Sequence, residues 1–309
     1  MTFTYYLWYF ILGGIFLSIG GCIANWIERK LTARIQFRVG PPWYQNFADF
    51  VKLMGKEVII PEGANTPIFI LSPIISFISV IICGVMAILV QKGIFTFPGD
   101  IILFVYFLTI PSLAIILGAS ASGNVFSAVG LSRELKLLLG YELPFICAII
   151  ISAIKAGGTT SLLTILNVQQ QTHIFIGSLS GFIGFLISLF VITGKIGIVP
   201  FDTAEAETEI SSGVFMEYSG ILLGLFKLTK YVLLIVGPVF IMTLFLGGFS
   251  YSSPIAIIIS LLKYILIVFL IVLIKNTNPR LRIDQAMRFF WGHLTFLGII
   301  GIILSFLGW

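Results

Sequence analysis

Five carboxylates crowd into sixteen residues of a chain that has only thirteen in all: Asp202, Glu205, Glu207, Glu209 and Glu217. Four of them lie in the stretch FDTAEAETE, residues 201–209, and long apolar runs flank the group on both sides. Acids crowded at the edge of a low-dielectric medium acquire raised, coupled proton affinities and can hold or pass protons near neutral pH. On a helix starting after Pro200, Asp202, Glu205 and Glu209 fall at i, i+3 and i+7 and share a face, with Glu207 turned elsewhere. A structural role competes for two of them, because Asp202 and Glu205 have the spacing of a capping box. Capping leaves Glu207, Glu209 and Glu217 unexplained.

Four more charges stand inside apolar runs: Glu142, Lys227, Lys230 and Lys263. A charge at bilayer depth costs at least ~2.5–3.5 kcal/mol, so by default it faces the protein interior and marks a path or a pair. Lys227 and Lys230 are three apart and share a helix face; snorkelling to the inner interface is the alternative reading. Lys263 lies nearer mid-span, where snorkelling is harder. Glu142 is a suitable counter-ion for one of these lysines. No Ser/His/Asp set, nucleotide loop or metal motif accompanies them. Cys22, Cys83 and Cys147 are scattered singly, and His173 and His293 lie far apart, so no catalytic residue, metal site or cofactor is assigned to this chain. A route for protons combined with a platform is what these residue types describe.

The elements that must hold them are membrane helices. The chain is 58% hydrophobic and 10% charged, with a mean hydropathy of +1.10. Its continuous apolar runs cross a hydrocarbon core of ~30 Å again and again. Barrel strands would alternate apolar and polar residues, so the fold class is an all-α polytopic membrane protein. Eight spans are expected, at about residues 5–27, 68–91, 101–120, 137–155, 174–194, 213–245, 254–274 and 289–309, within one membrane domain over residues 1–309. No Lys or Arg precedes Arg29, so the first run reads as a span and not as a signal peptide. With residue 1 outside, thirteen basic residues fall in inner segments and two, Lys92 and Lys155, in outer ones. That bias fixes an outside N-terminus and puts the segments at about residues 28–67, 120–137, 195–213 and 275–289 in the cytoplasm, the acidic cluster among them. The net charge of +5 is therefore a topology signal and not a nucleic-acid footprint.

The first inner loop is expected to be structured. Arg29, Lys30, Arg34 and Arg38 precede Gly40-Pro41-Pro42-Trp43-Tyr44, a stiff aromatic surface of the kind partners bind, with ordinary topogenic charge as the alternative. Phe47, Phe50, Val51 and Met54 then recur at the spacing of an amphipathic helix. Residues 130–142, GLSRELKLLLGYE, begin at Ser132 as a possible cap and run into the fourth span.

Two long segments carry a resemblance: ERKLTARIQFRVGPPWYQNFADFVKLMGKE and VPFDTAEAETEISSGVFMEYSGILLGLFKLTKYV. They resemble the signature regions of the membrane anchor subunit of respiratory complex I. They are more similar still to its relative in energy-converting membrane-bound nickel–iron (NiFe) hydrogenases and formate hydrogenlyase. The resemblance implies a non-catalytic subunit of a prokaryotic cell membrane. Its cytoplasmic partners would be a hydrogenase-like large subunit and an iron–sulfur small subunit, which hold the NiFe centre and the clusters. Antiporter-like membrane subunits, moving protons or sodium, would be its partners in the bilayer. Carried over by position, Glu142 matches the glutamate of the fourth span, Asp202, Glu205 and Glu207 the acidic loop, and Glu217 the entry to the sixth span. Asp49, Lys52 and Glu57 match the polar set of the first loop. Quinone-reducing members resemble FFLAEY where this chain reads LFKLTKY, so Lys230 replaces a glutamate; Lys227 and RVGPPWYQ resemble the hydrogenase branch. Related sulfur-reducing complexes share the module and stay open, as does a quinone-reducing enzyme. A free-standing secondary transporter is the reading of another class, but it usually shows inverted repeats, and none is detectable here.

Overall fold

A backbone immersed in lipid must satisfy its own hydrogen bonds, and this chain does so with helices throughout. The computed structural model describes residues 2–94 and 96–308, with the backbone alone for residues 2–7, 207 and 208. In order, the helices are α1 (Thr2–Ile35), α2 (Gln45–Met54), α3 (Thr66–Gln91), α4 (Asp100–Ala121), α5 (Val125–Lys155), α6 (Leu162–Gln171) and α7 (Leu179–Ile196). They continue with α8 (Glu207–Ile210), α9 (Gly220–Phe245), α10 (Pro254–Thr277), α11 (Ile283–Met287) and α12 (Thr295–Phe306). A π-helical turn, Arg288–Leu294, joins the last two into one span. Among the described residues, eight helices are long and apolar enough to cross a bilayer.

Burial separates central from peripheral spans. The apolar windows of α9 and α7 are 78% and 72% buried within the chain, whereas those of α1 and α10 are 22% and 28% buried. The centre is therefore α7 and α9, packed with α3, α4 and α5, and α1 and α10 keep long faces for lipid or other subunits. Close approach at the centre depends on small residues, as membrane packing requires. A Cβ on Gly84 would lie 2.5 Å from Leu17 of α1, and one on Gly237 would lie 2.5 Å from Ile192 of α7. Between them Phe104 of α4 stacks on Phe240 of α9 with ring centroids 4.4 Å apart.

Several element boundaries differ from those the sequence predicts. The fourth span begins at Val125, twelve residues before the expected start, so most of the expected loop at 120–137 is helix. Its cap is Asn124, whose side chain accepts from the Phe126 N–H at 2.8 Å. Ser132 sits inside the helix and bonds back to the Val129 carbonyl, as hydroxyls do mid-helix. Residues 201–215 form no continuous helix: a 3₁₀ turn at Thr203–Glu205, the four-residue α8 and a second 3₁₀ turn at Gly213–Phe215 replace it. The proposed Asp202 cap is absent.

The outer connections are less bland than their sequence. Helix α6 tucks Gln169 under the end of α9, where its amide donates to the carbonyls of Thr243 and Leu244 and accepts from Gly247 N–H. It thereby satisfies carbonyls that a helix end leaves orphaned. At the opposite end, α1 closes with Phe37 N–H on the Arg34 carbonyl and Arg38 N–H on the Ala33 carbonyl, the paired bonds of a left-handed helix stop. Phe37 takes φ +57° there, a conformation that costs a side-chain-bearing residue about 1–2 kcal/mol.

Candidate functional site

The acids after α7 do not share a face; Asp202, Glu205 and Glu209 each meet a cation from a different element. Asp202 accepts both arms of Arg280, at 2.9 Å from Nε and 2.5 Å from Nη2. The Leu281 N–H bonds the Pro200 carbonyl beside it, so the α10–α11 connection is stapled to the acidic loop. Glu205 pairs with Lys230 of α9. Glu209 pairs with Arg133 of α5 at 2.6 Å, and the same guanidinium reaches the Thr203 carbonyl at 3.1 Å. Glu217 accepts from the Asn124 amide at 2.5 Å, bridging the entry of α9 to the cap of α5. The side chain of Glu207 lies outside the described residues. Repulsion among the acids is thus relieved by pairing each with its own donor.

The loop can lie this close because glycines admit it. A Cβ on Gly130 of α5 would sit 2.8 Å from the Val214 nitrogen and 3.0 Å from the Ala204 carbonyl oxygen. Gly197 ends α7 at φ +70°, and a Cβ there would meet Lys230 Nζ at 3.3 Å and Glu205 Oε1 at 3.5 Å.

Deeper in the bundle stands a further pair. Glu142 does not meet Lys227, Lys230 or Lys263; its partner is Lys195 of α7, at 2.5 Å. The Lys195 side chain is 1% exposed, and that of Glu142 22%. Thr109 of α4 donates to the same carboxylate at 2.9 Å. The rings of Tyr141 and Phe145 lie 4.8 and 4.9 Å below the ammonium, adding cation–π contacts where no water can solvate it. Tyr141 hydroxyl in turn shares a 2.9 Å hydrogen bond with Ser112. Glu134, seven residues before Tyr141 on the same face of α5, is within electrostatic range of Glu205, Lys230 and Lys195.

Another pair lies on the α1 side. Glu28, buried, accepts from Lys275 of α10 at 2.6 Å. A cleft of about 150 Å³ lined by Glu28, Tyr231, Lys230 and Lys275 connects it to the Glu205–Lys230 pair. Tyr218, beside the acids but clear of the spans, stacks on Phe69 with centroids 4.2 Å apart and donates to the Phe69 carbonyl. Burial pushes its phenol up, so it stays a neutral donor.

The other sequence-selected residues divide. Lys227 is exposed and has no ion pair among the described residues, so it does not join the layer with Lys230. Lys263 donates to the Leu246 carbonyl at 2.6 Å, at the outer end of α9 and away from the acids. In the first loop, Arg29 reaches Asn46 at 2.8 Å and Asp49 at 3.5 Å, clamping α2 onto α1. Lys30 packs its stem under Gly40. Arg34, Arg38, Trp43, Tyr44, Lys52 and Glu57 are exposed. The expected apolar face of α2 is rotated: Phe50 and Leu53 pack on Gly224 of α9, while Val51 and Met54 stay exposed. Glu28, Glu134 and Lys195 are the site residues that sequence reasoning missed. Glu134 had a signal, since it shares a helix face with Tyr141 at i, i+7.

The cysteines occupy α1, α3 and α5 singly, and among the described residues no three metal-ligating side chains come together. This donor set does not fit an iron–sulfur or NiFe centre.

Comparison with known proteins gives the assembly to which this layer is suited. The NADH dehydrogenase family model matches residues 8–306. The H subunit of NADH-quinone oxidoreductase from Dehalococcoides mccartyi strain CBDB1 is 31% identical over 94% of this chain and 83% of its own length. Its counterpart from Geobacillus kaustophilus is 30% identical over 96% of this chain and 92% of its own length. Among solved structures, a chain of the membrane-bound sulfane sulfur reductase, an archaeal respiratory membrane complex, superposes with a TM-score of 0.88 at 29% identity, covering 97% of this chain and 99% of that one. With charged pairs between its spans and a family match along nearly its whole length, the chain belongs to the NADH dehydrogenase family and is a multi-pass membrane subunit of a complex I-like oxidoreductase.

Proposed function

We infer that this subunit is non-catalytic and couples a docked redox module to ion translocation, with a hydrogenase-type module as the partner. Electron transfer in the module changes charge near the acidic loop. Glu205 and Lys230 respond, Glu134 relays the change, and the Glu142–Lys195 pair passes it laterally toward antiporter-like subunits. The observation that carries the reading is the Glu142–Lys195 pair, an ammonium buried between spans. Clusters and the NiFe centre belong to the partners in this reading, and among the described residues no three metal-ligating side chains come together here.

Lys227 and RVGPPWYQ, which resemble the hydrogenase branch, favour it, and Lys230 departs from the glutamate that quinone-reducing relatives resemble. A second reading, a sulfur-reducing module, is favoured by the likeness to the sulfane sulfur reductase chain. Purification of the intact complex through a tag on this chain separates them. Hydrogen evolution from a reduced low-potential donor supports the first, polysulfide reduction without hydrogen the second. Quinone reduction blocked by quinone analogues contradicts both, and ion flux by this chain alone in liposomes contradicts the subunit role.

A further inference from the structure

Among the described residues Phe37 is the most exposed large apolar side chain, at 99%, and Val39 follows at 90%. Exposure alone is common on surfaces. What sets Phe37 apart is that it also holds φ +57° at the stop of α1, a position that glycine fills with ease. Its loop is not slack. Trp26 donates to the Pro41 carbonyl at 3.0 Å, Gly40 lies against Lys30, and Gln36 reaches Asn276 of α10 at 3.0 Å. A braced loop thus presents one aromatic ring outward in a conformation that brings the isolated chain nothing. Arg34 and Arg38, both exposed, stand on either side of it.

The sequence expects the first span to end near residue 27; α1 runs on for eight residues to Ile35, about 12 Å of helix, so Phe37 lies beyond the expected span.

We propose that Phe37 is the anchor of the cytoplasmic redox module on this subunit, entering an apolar pocket whose rim is acidic and meets Arg34 and Arg38. This rests on the docking role given under the proposed function and names the contact that carries it. Pre-bracing lowers the ordering cost of association, which is where a strained but rigid anchor gains.

The test uses the intact complex and the isolated subunit together. Phe37→Gly is expected to make the module leave the detergent-purified complex at least tenfold faster, while the isolated subunit melts at the same or a higher temperature. Unchanged retention overturns the proposal, and so does faster loss accompanied by a lower melting temperature, which would mark a folding role. Arg38→Glu and Trp43→Ala separate this inference from the docking reading. If they release the module and Phe37→Gly does not, the anchor is wrong and docking stands; if none of the three releases it, docking through this loop fails as well. A benzoylphenylalanine at position 37 of the purified complex is expected to crosslink a cytoplasmic subunit at an acid-flanked apolar segment, and an adduct with lipid would overturn the proposal.

Discussion

A buried ammonium persists only while its counter-ion stays in place. Lys195, with its side chain 1% exposed, depends on Glu142 in this way. Glu142→Gln leaves the ammonium without its partner and is expected to cost about 3 kcal/mol, the lower end for broken buried pairs, because Glu142 keeps some solvent contact. Adding Lys195→Met restores most of that loss but not coupling, and thermal melts of the single and double variants read it out. Lys227→Leu, at an exposed and unpaired position, changes stability by less than about 0.5 kcal/mol and leaves ion transport intact. A loss of transport in that variant would return Lys227 to the path. Part of this chemistry was legible in sequence, since Glu142, the acidic cluster and Lys230 stand out against an apolar background. Their pairing was not. Lys195 ends an apolar run and reads as an ordinary topogenic charge, and Glu134 is masked by the Arg and Lys that surround it on α5.

Elements set the spacing of these pairs, and two residues carry most of that task. Asn124 caps α5 and also holds Glu217, so Asn124→Ala removes both contacts. A cost of about 1 kcal/mol is expected from the cap alone. Gly197→Ala adds left-handed strain of about 1–2 kcal/mol and crowds Lys230 against Glu205. It is therefore expected to lower both the melting temperature and the coupling efficiency, whereas Gly177→Ala, at a glycine whose Cβ would meet nothing, leaves them unchanged. Continuous apolar runs made all eight spans readable. The first turns of α5 were not, because Ser132 offered itself as the cap, whereas the helix begins seven residues earlier behind Asn124. The cluster at 201–209 failed as a helix for a different reason. Its acids are drawn to cations on α5, α9 and the α10–α11 connection, and no straight helix could serve all three.

Over the whole molecule, charged pairs form a layer at the end that the basic bias places in the cytoplasm, and one pair extends inward between α4, α5 and α7. This is an arrangement for converting a change of charge at a docked surface into a change of protonation inside the bundle. Its peripheral helices α1 and α10 keep the faces on which neighbours can assemble. The layer as a device for coupling, and not merely for folding, is tested most directly by the number of ions moved per electron in proteoliposomes holding the complete complex with Glu142→Gln. A collapse of that ratio to near zero, with electron flow at half or more of the wild-type rate, is the predicted result; an unchanged ratio would contradict it.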